Sequence, residues 1–200
     1  MTDYVVFGGA RSRAMRVLWM LEELGLEYSV VAAMPRSEEV RALNPTGKIP
    51  VLVEDGVAIP DSVAIMTYLA DRYGKLTAPA GTIARAQQDA FVQAVNDEID
   101  GVLWAAARHS FILPEEQRVA GVKDSLRWEF TRNQDAIADR MSAEGPFVMG
   151  SEICLADILL SHCMGWAGSA KFDVTNTRLA EHNAMMRARP AFKRALAAGT

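Results

Sequence analysis

Two hundred residues, half of them hydrophobic and 23% charged, suffice for one large or two small globular domains with a sizeable core. The net charge of −4 gives no support to general nucleic-acid binding, and no apolar run approaches the roughly 18 residues of a membrane span. Asp3 comes early and the apolar run at 4–7 is too short for a signal-peptide core, so a cytoplasmic protein is expected. The two cysteines, Cys154 and Cys163, form no CxxC pair and the three histidines are scattered, so reduced thiols and no metal are expected.

Tyr4-Val5-Val6-Phe7 reads as a strand buried on both faces, followed by a Gly8-Gly9-Ala10 turn. Val17, Leu18, Leu21 and Leu24 keep helical spacing from Ala14 onward, and Gly25 supplies the C-cap. A second strand over 28–32 completes a β-α-β unit and predicts a parallel pair. After a short helix or turn over 37–43, Asn44-Pro45-Thr46-Gly47 is turn chemistry. Val51-Leu52-Val53 and Val57-Ala58-Ile59 flank Asp55-Gly56, the dipeptide favoured in hairpin turns. Pro60-Asp61-Ser62 opens a helix over 62–73, closed by Gly74.

The stretch 44–62 therefore predicts unpaired backbone groups around Ile49-Pro50 beside a helix N-terminus that attracts anions, which suits peptide recognition. Residues 76–81 read as a linker. Beyond them helices dominate: a long amphipathic one over 82–110, a second from Pro114 to about 141 with Glu115-Glu116 in its first turn, an apolar one over 153–165, and two shorter ones over 176–188 and 190–197. Pro190 is well placed as a first helical residue.

The order β-α-β-α-β-β-α, with Ile-Pro leading the third strand, resembles a thioredoxin-like fold. Followed by an all-helical domain, it resembles the cytosolic glutathione S-transferase family, here of bacterial type with a serine-like active-site loop. The matching residues are Pro45-x-Gly47-Lys48-Ile49-Pro50-Val51-Leu52, Asp61-Ser62-x-Ala64-Ile65, Gly150 with Leu155-Ala156-Asp157-Ile158, and Ala188-Arg189-Pro190-Ala191-Phe192. The expected fold class is thus α/β plus all-α, with residues 1–75 as the thioredoxin-like domain and 82–200 as the helical one. One departure is that Cys154 stands where the family has Ser or Thr three residues before the buried Asp157; a thiol is a weaker hydrogen-bonding group, so a weaker capping box is expected.

The resemblance implies glutathione as co-substrate, a small hydrophobic electrophile as second substrate, and a homodimer. It places the thiol-activating group in the loop after the first strand. Ser12 is the candidate catalytic residue there, although a plain helix cap explains a serine equally well. Arg11 and Arg13 could add positive charge near the thiolate or be solvated. Asp61 and Ser62 would hold the γ-glutamyl end, Ile49 would offer its backbone to the cysteinyl unit, Lys48 would reach the glycyl carboxylate, and Pro50 would shape the site. Asp61-Ser62 also reads as an ordinary cap. For the electrophile, Trp104, Arg108, Phe111 and Trp166 are the candidates, with core packing the plainer reading of each aromatic. Glutathione-dependent isomerase or peroxidase chemistry, or a non-catalytic binding or assembly module, are the alternatives.

Overall fold

In the computed structural model, which describes residues 3–200, strand β1 (Tyr4–Phe7) buries Tyr4 and Val6. Helix α1 (Ala14–Leu24) ends at Gly25, whose φ of 70° is left-handed and whose N–H returns to the Glu22 and Leu21 carbonyls. Strand β2 (Ser29–Val31) then pairs with β1 in parallel, Val5 opposite Ser29 and Phe7 opposite Val31. It is shorter than the expected 28–32: Tyr28 lies outside it and donates its hydroxyl to Glu22 Oε1 at 2.8 Å. Helix α2 (Glu38–Leu43) is capped by Ser37, whose hydroxyl oxygen accepts the Val40 N–H.

Strands β3 (Val51–Glu54) and β4 (Val57–Pro60) form the expected hairpin, turning through Asp55 and Gly56, both at positive φ. β3 pairs antiparallel with β1, giving a mixed four-stranded sheet in the order β2-β1-β3-β4. Helix α3 (Ser62–Tyr73) follows and ends at Gly74. This is the βαβαββα order of a thioredoxin-like fold, with a cis peptide at Ile49-Pro50.

The remaining chain is helical. The long amphipathic helix is built of four consecutive pieces: α4 (Ile83–Val95), a π-turn (Asn96–Asp100), α5 (Gly101–Ala107) and a second π-turn (Arg108–Ile112). In the π-turns the N–H groups of Gly101 and Leu113 reach back five residues, to the carbonyls of Asn96 and Arg108. The Glu98 carbonyl accepts from Asn133 Nδ2 at 2.8 Å, a partly buried bond that ties the first π-turn to α6 (Val122–Asp139).

The expectation that α6 starts at Pro114 is corrected. Glu115–Gln117 makes only one 3-10 turn, Pro114 offers no capping side chain, and Arg118 turns the backbone extended. Helix α7 (Leu155–Ser169) is buried along most of its length, and α8 (Thr177–Ala188) and α9 (Pro190–Ala198) follow, the latter with proline in its first turn.

Packing also departs from the expected division at residue 82. One unit comprises the residues up to Ala80 together with Met186–Thr200; the other is Gly81–Met185. Helix α9 thus leaves the predicted 82–200 domain for the first unit because its apolar face has a complementary partner in α1. Phe192 packs edge-on against the fully buried Trp19, ring centroids 4.8 Å apart. Arg189 forks onto Glu23 at 2.6 and 2.7 Å, and Arg194 pairs with Glu22 at 2.6 Å.

Within the second unit the buried centre of α7 is polar at one point. Asp157 accepts N–H groups from Cys154 and Val148, both at 2.8 Å, and lies 2.8 Å from His182 Nε2. The expected weakness of the cysteine-containing cap falls on the thiol's half alone: the Asp157 carboxylate accepts the Cys154 N–H, while the Cys154 sulfur faces the Asp157 N–H, so both halves of the capping box are in place. Burial and the nearby Asp157 charge push the Cys154 thiol up, so it stays protonated.

Candidate active site

The loop after β1 begins at Gly8, whose φ is 122°. A side chain there would be strained by the backbone and crowded, its Cβ falling 3.0 Å from Ala14 Cβ and 3.2 Å from Ile49 Cβ. Glycine therefore lets the loop that carries Ser12 lie against the Ile49-Pro50 segment.

Ser12 is half-buried and its hydroxyl is engaged at both ends. It donates to the Gly9 carbonyl at 2.8 Å and accepts the Ala14 N–H at 3.1 Å. It thus caps α1 from one position ahead of Arg13, the formal N-cap, which makes no side-chain cap bond. To donate to a thiolate, Ser12 must release the Gly9 carbonyl. Arg11 is exposed and Arg13 half-buried. Tyr4, the other hydroxyl near this loop in sequence, is 2% exposed with its oxygen 2.8 Å from that of Tyr73; burial and that contact push its phenol up, and it belongs to the core.

The segment before β3 is held by Asn44, which is itself buried. Its Nδ2 donates to the Lys48 carbonyl at 2.9 Å, and its Oδ1 accepts both the N–H and the hydroxyl of Thr46 at 3.2 and 2.9 Å. Lys48 is exposed, Ile49 half-buried and Pro50 buried.

Asp61 caps α3 from an unusual backbone, φ 75° and ψ 125°, a region that costs a non-glycine residue energy. One oxygen, Oδ1, accepts both the Val63 and Ala64 N–H groups at 2.9 and 3.1 Å. Oδ2 accepts no bond among the described residues, and the side chain is exposed, so the cap leaves half of the carboxylate for a cation. Ser62 is the opposite case: it is 3% exposed and its Oγ accepts from Arg16 Nη1 at 3.3 Å.

Arg16, 1% exposed on α1, is the residue the sequence reading missed. Since a guanidinium only donates, its bond to Ser62 leaves the serine proton to be directed elsewhere, and it links the start of α1 to the start of α3. Gly8–Ile49 contact and the Arg16–Ser62 bond together join Ser12, Ile49, Asp61 and Ser62 into one local assembly within the first unit. It gathers a helix N-terminus and a half-available carboxylate, with a buried guanidinium behind them, groups that can receive an anion and an ammonium.

In the second unit, Trp104 on α5 and Trp166 on α7 are half-buried, whereas Arg108 is exposed and Phe111 is 67% exposed. Trp104, Arg108 and Phe111 follow one another at spacings of four and three along the same helix, with the second π-turn starting at Arg108. Core packing accounts for neither Arg108 nor Phe111.

Residues 11–72 match the family model described as glutathione S-transferase, N-terminal domain. The chain is 26% identical over 200 residues to glutathione S-transferase GstA of Escherichia coli O157:H7, covering 95% of this chain and 94% of that one. It is 37% identical over 76 residues to glutathione S-transferase 3 of Schizosaccharomyces pombe, a match that spans 34% of this chain and only 30% of the relative. Among solved structures, a glutathione transferase from Methylococcus capsulatus str. Bath superposes with a TM-score of 0.83 at 25% identity, over 98% of both chains. The mixed sheet, the helices that follow it, the family match over residues 11–72 and the whole-length likeness agree in making this chain similar to glutathione S-transferases.

Proposed function

We propose that the protein is a glutathione transferase that binds glutathione at the N-terminus of α3 and stabilises its thiolate from the loop after β1. The observation that carries this reading is the asymmetric carboxylate of Asp61, which caps α3 with one oxygen and keeps the other for the γ-glutamyl ammonium. The Ser62 N–H, with the buried Arg16 behind its hydroxyl, favours the adjacent carboxylate. The Ile49 backbone would take the cysteinyl unit, Pro50 would shape that site, and Lys48 would reach the glycyl carboxylate.

Activation needs little apparatus. A free thiol titrates near 8.5, and lowering that by about two units requires roughly 2.7 kcal/mol of preference for the thiolate. One hydrogen bond to a charged group is worth about 1.5–3 kcal/mol, so a single donor suffices. Ser12 is the proposed donor, assisted by the positive charge of Arg11 and Arg13. The electrophile is proposed to be small and hydrophobic and to meet Trp104, Arg108, Phe111 and Trp166. The working form is proposed to be a cytoplasmic homodimer, which size-exclusion chromatography tests directly.

A second reading is favoured by one observation, the commitment of the Ser12 hydroxyl to Gly9. In it a loop amide stabilises the thiolate, or the site binds glutathione without activating it. Titrating thiolate absorbance of the glutathione complex separates these. A thiol pKa lowered by about two units in wild type, and returned toward its free value by Ser12→Ala, supports Ser12. A lowered pKa that survives the substitution assigns a loop amide, and no lowering refutes the transferase.

A further inference from the structure

The carbonyl of Gly199, just past α9, accepts the Ala10 N–H at 2.9 Å. The acceptor and donor are far apart in sequence but lie in one packing unit, and Ala10 belongs to the loop that carries Ser12. The same peptide group is held at its other end: the Gly9 carbonyl accepts the Ser12 N–H at 3.1 Å and the Ser12 hydroxyl at 2.8 Å. A peptide is a rigid plane, so bonds to both its oxygen and its N–H fix its rotation. Turning it would break contacts on both sides at once.

The fit is as close as backbone allows. A Cβ on Gly9 would lie 3.0 Å from the Gly199 oxygen. A Cβ on Gly199 would lie 2.7 Å from Ala10 N, from Ala10 Cβ and from Leu18 Cδ1, which no side chain can occupy without displacing the loop. Nor is the clasp free to drift, because the Arg189–Glu23 fork, the Arg194–Glu22 pair and the Trp19–Phe192 contact anchor α9 to α1.

We propose that Gly199 is a positioning residue for thiol activation: by fixing the plane of the Gly9–Ala10 peptide it sets the direction of the Ser12 hydroxyl and the neighbouring loop amides. The inference rests on the glutathione-transferase reading but not on which donor of the loop acts, since both kinds turn with that peptide. It also removes the Ala10 N–H from the candidate donors, because Gly199 already holds it.

The test compares wild type with Gly199→Ala and, from the loop side, Gly9→Ala, using glutathione and an aromatic electrophile. Circular dichroism establishes that each variant is folded. The expected result for Gly199→Ala is a bound-thiol pKa about one unit above wild type, with kcat lower by roughly 10–100-fold and the KM for glutathione changed by less than about threefold. Gly9→Ala, with the milder contact, should shift both in the same direction by less, and it carries the test if Gly199→Ala does not fold. A lowered wild-type thiol pKa retained in the folded variants, with kcat unchanged, overturns the inference alone. A wild-type complex whose thiol keeps its free pKa overturns the transferase reading and this inference with it.

Discussion

Asp61 and Asp157 both serve the first turn of a helix, yet they share little else. Asp61 is exposed, sits on a strained backbone and uses one carboxylate oxygen for two N–H groups. Asp157 is wholly buried and uses both oxygens, for the Val148 and Cys154 N–H groups and for contact with His182. The difference teaches how to tell a capping carboxylate that can also receive a ligand from one that only organises the chain. Spare hydrogen-bonding capacity marks the first, and saturation marks the second.

The sharpest way to break the comparison is to remove Asp157. Asp157→Ala strands two backbone donors and a histidine in the interior, and a loss of about 3–5 kcal/mol is expected, with the melting temperature falling by roughly 10 °C or more. The fraction still folded should bind glutathione with unchanged affinity. A melting temperature within experimental error of wild type would show that Asp157 is not the organising group.

Asp61→Asn keeps an oxygen for the cap and discards the charge. Stability should change by less than about 0.5 kcal/mol, since asparagine caps helices as well as aspartate does. Glutathione affinity measured by calorimetry should fall roughly 10–100-fold, the worth of one charge-assisted bond. Wild-type affinity would place Asp61 with Asp157, among purely structural caps.

The smallest expected effect concerns the residue beside the buried cap. The folded Cys154 thiol titrates above its unfolded value near 8.5, so above that pH the unfolded chain loses a proton that the native chain keeps. Stability from this group is therefore complete below about pH 8.5 and declines as pH rises, by up to about 1.4 kcal/mol per pH unit. Cys154→Ala should flatten that alkaline limb in denaturant titrations. An unchanged slope between about pH 8.5 and 10 would show that the thiol is not held protonated.

Sequence was most informative where a residue type acts on its own backbone. Gly25 and Gly74 were readable as helix stops, Asp55-Gly56 as a hairpin turn, Asp61 as a cap and Pro190 as a helix start, because each effect is local. Arg16 was not readable. A charged residue in a helical pattern suggests a solvated face, and nothing near it announces that Ser62 will accept its hydrogen bond. In sequence His182 is one of three scattered histidines, because its partner Asp157 lies on another helix. Gly199 resembles any glycine after a helix until the fold brings Ala10 against it. The candidate site was legible in its short motifs and illegible wherever a contact spans distant segments.

The two π-turns in the long helix have a consequence for how this chain tolerates changes in length. Each holds one residue more than an α-helix needs to cover the same arc, and they bracket α5 on both sides. A residue added within an unbroken α-helix turns everything beyond it by about 100°. One added as a π-turn is absorbed where it enters, and the faces before and after stay aimed as they were. α5, with Trp104, therefore has a slip joint at each end, so single-residue deletions within Asn96–Asp100 or Arg108–Ile112 are the length changes this helix accommodates most easily.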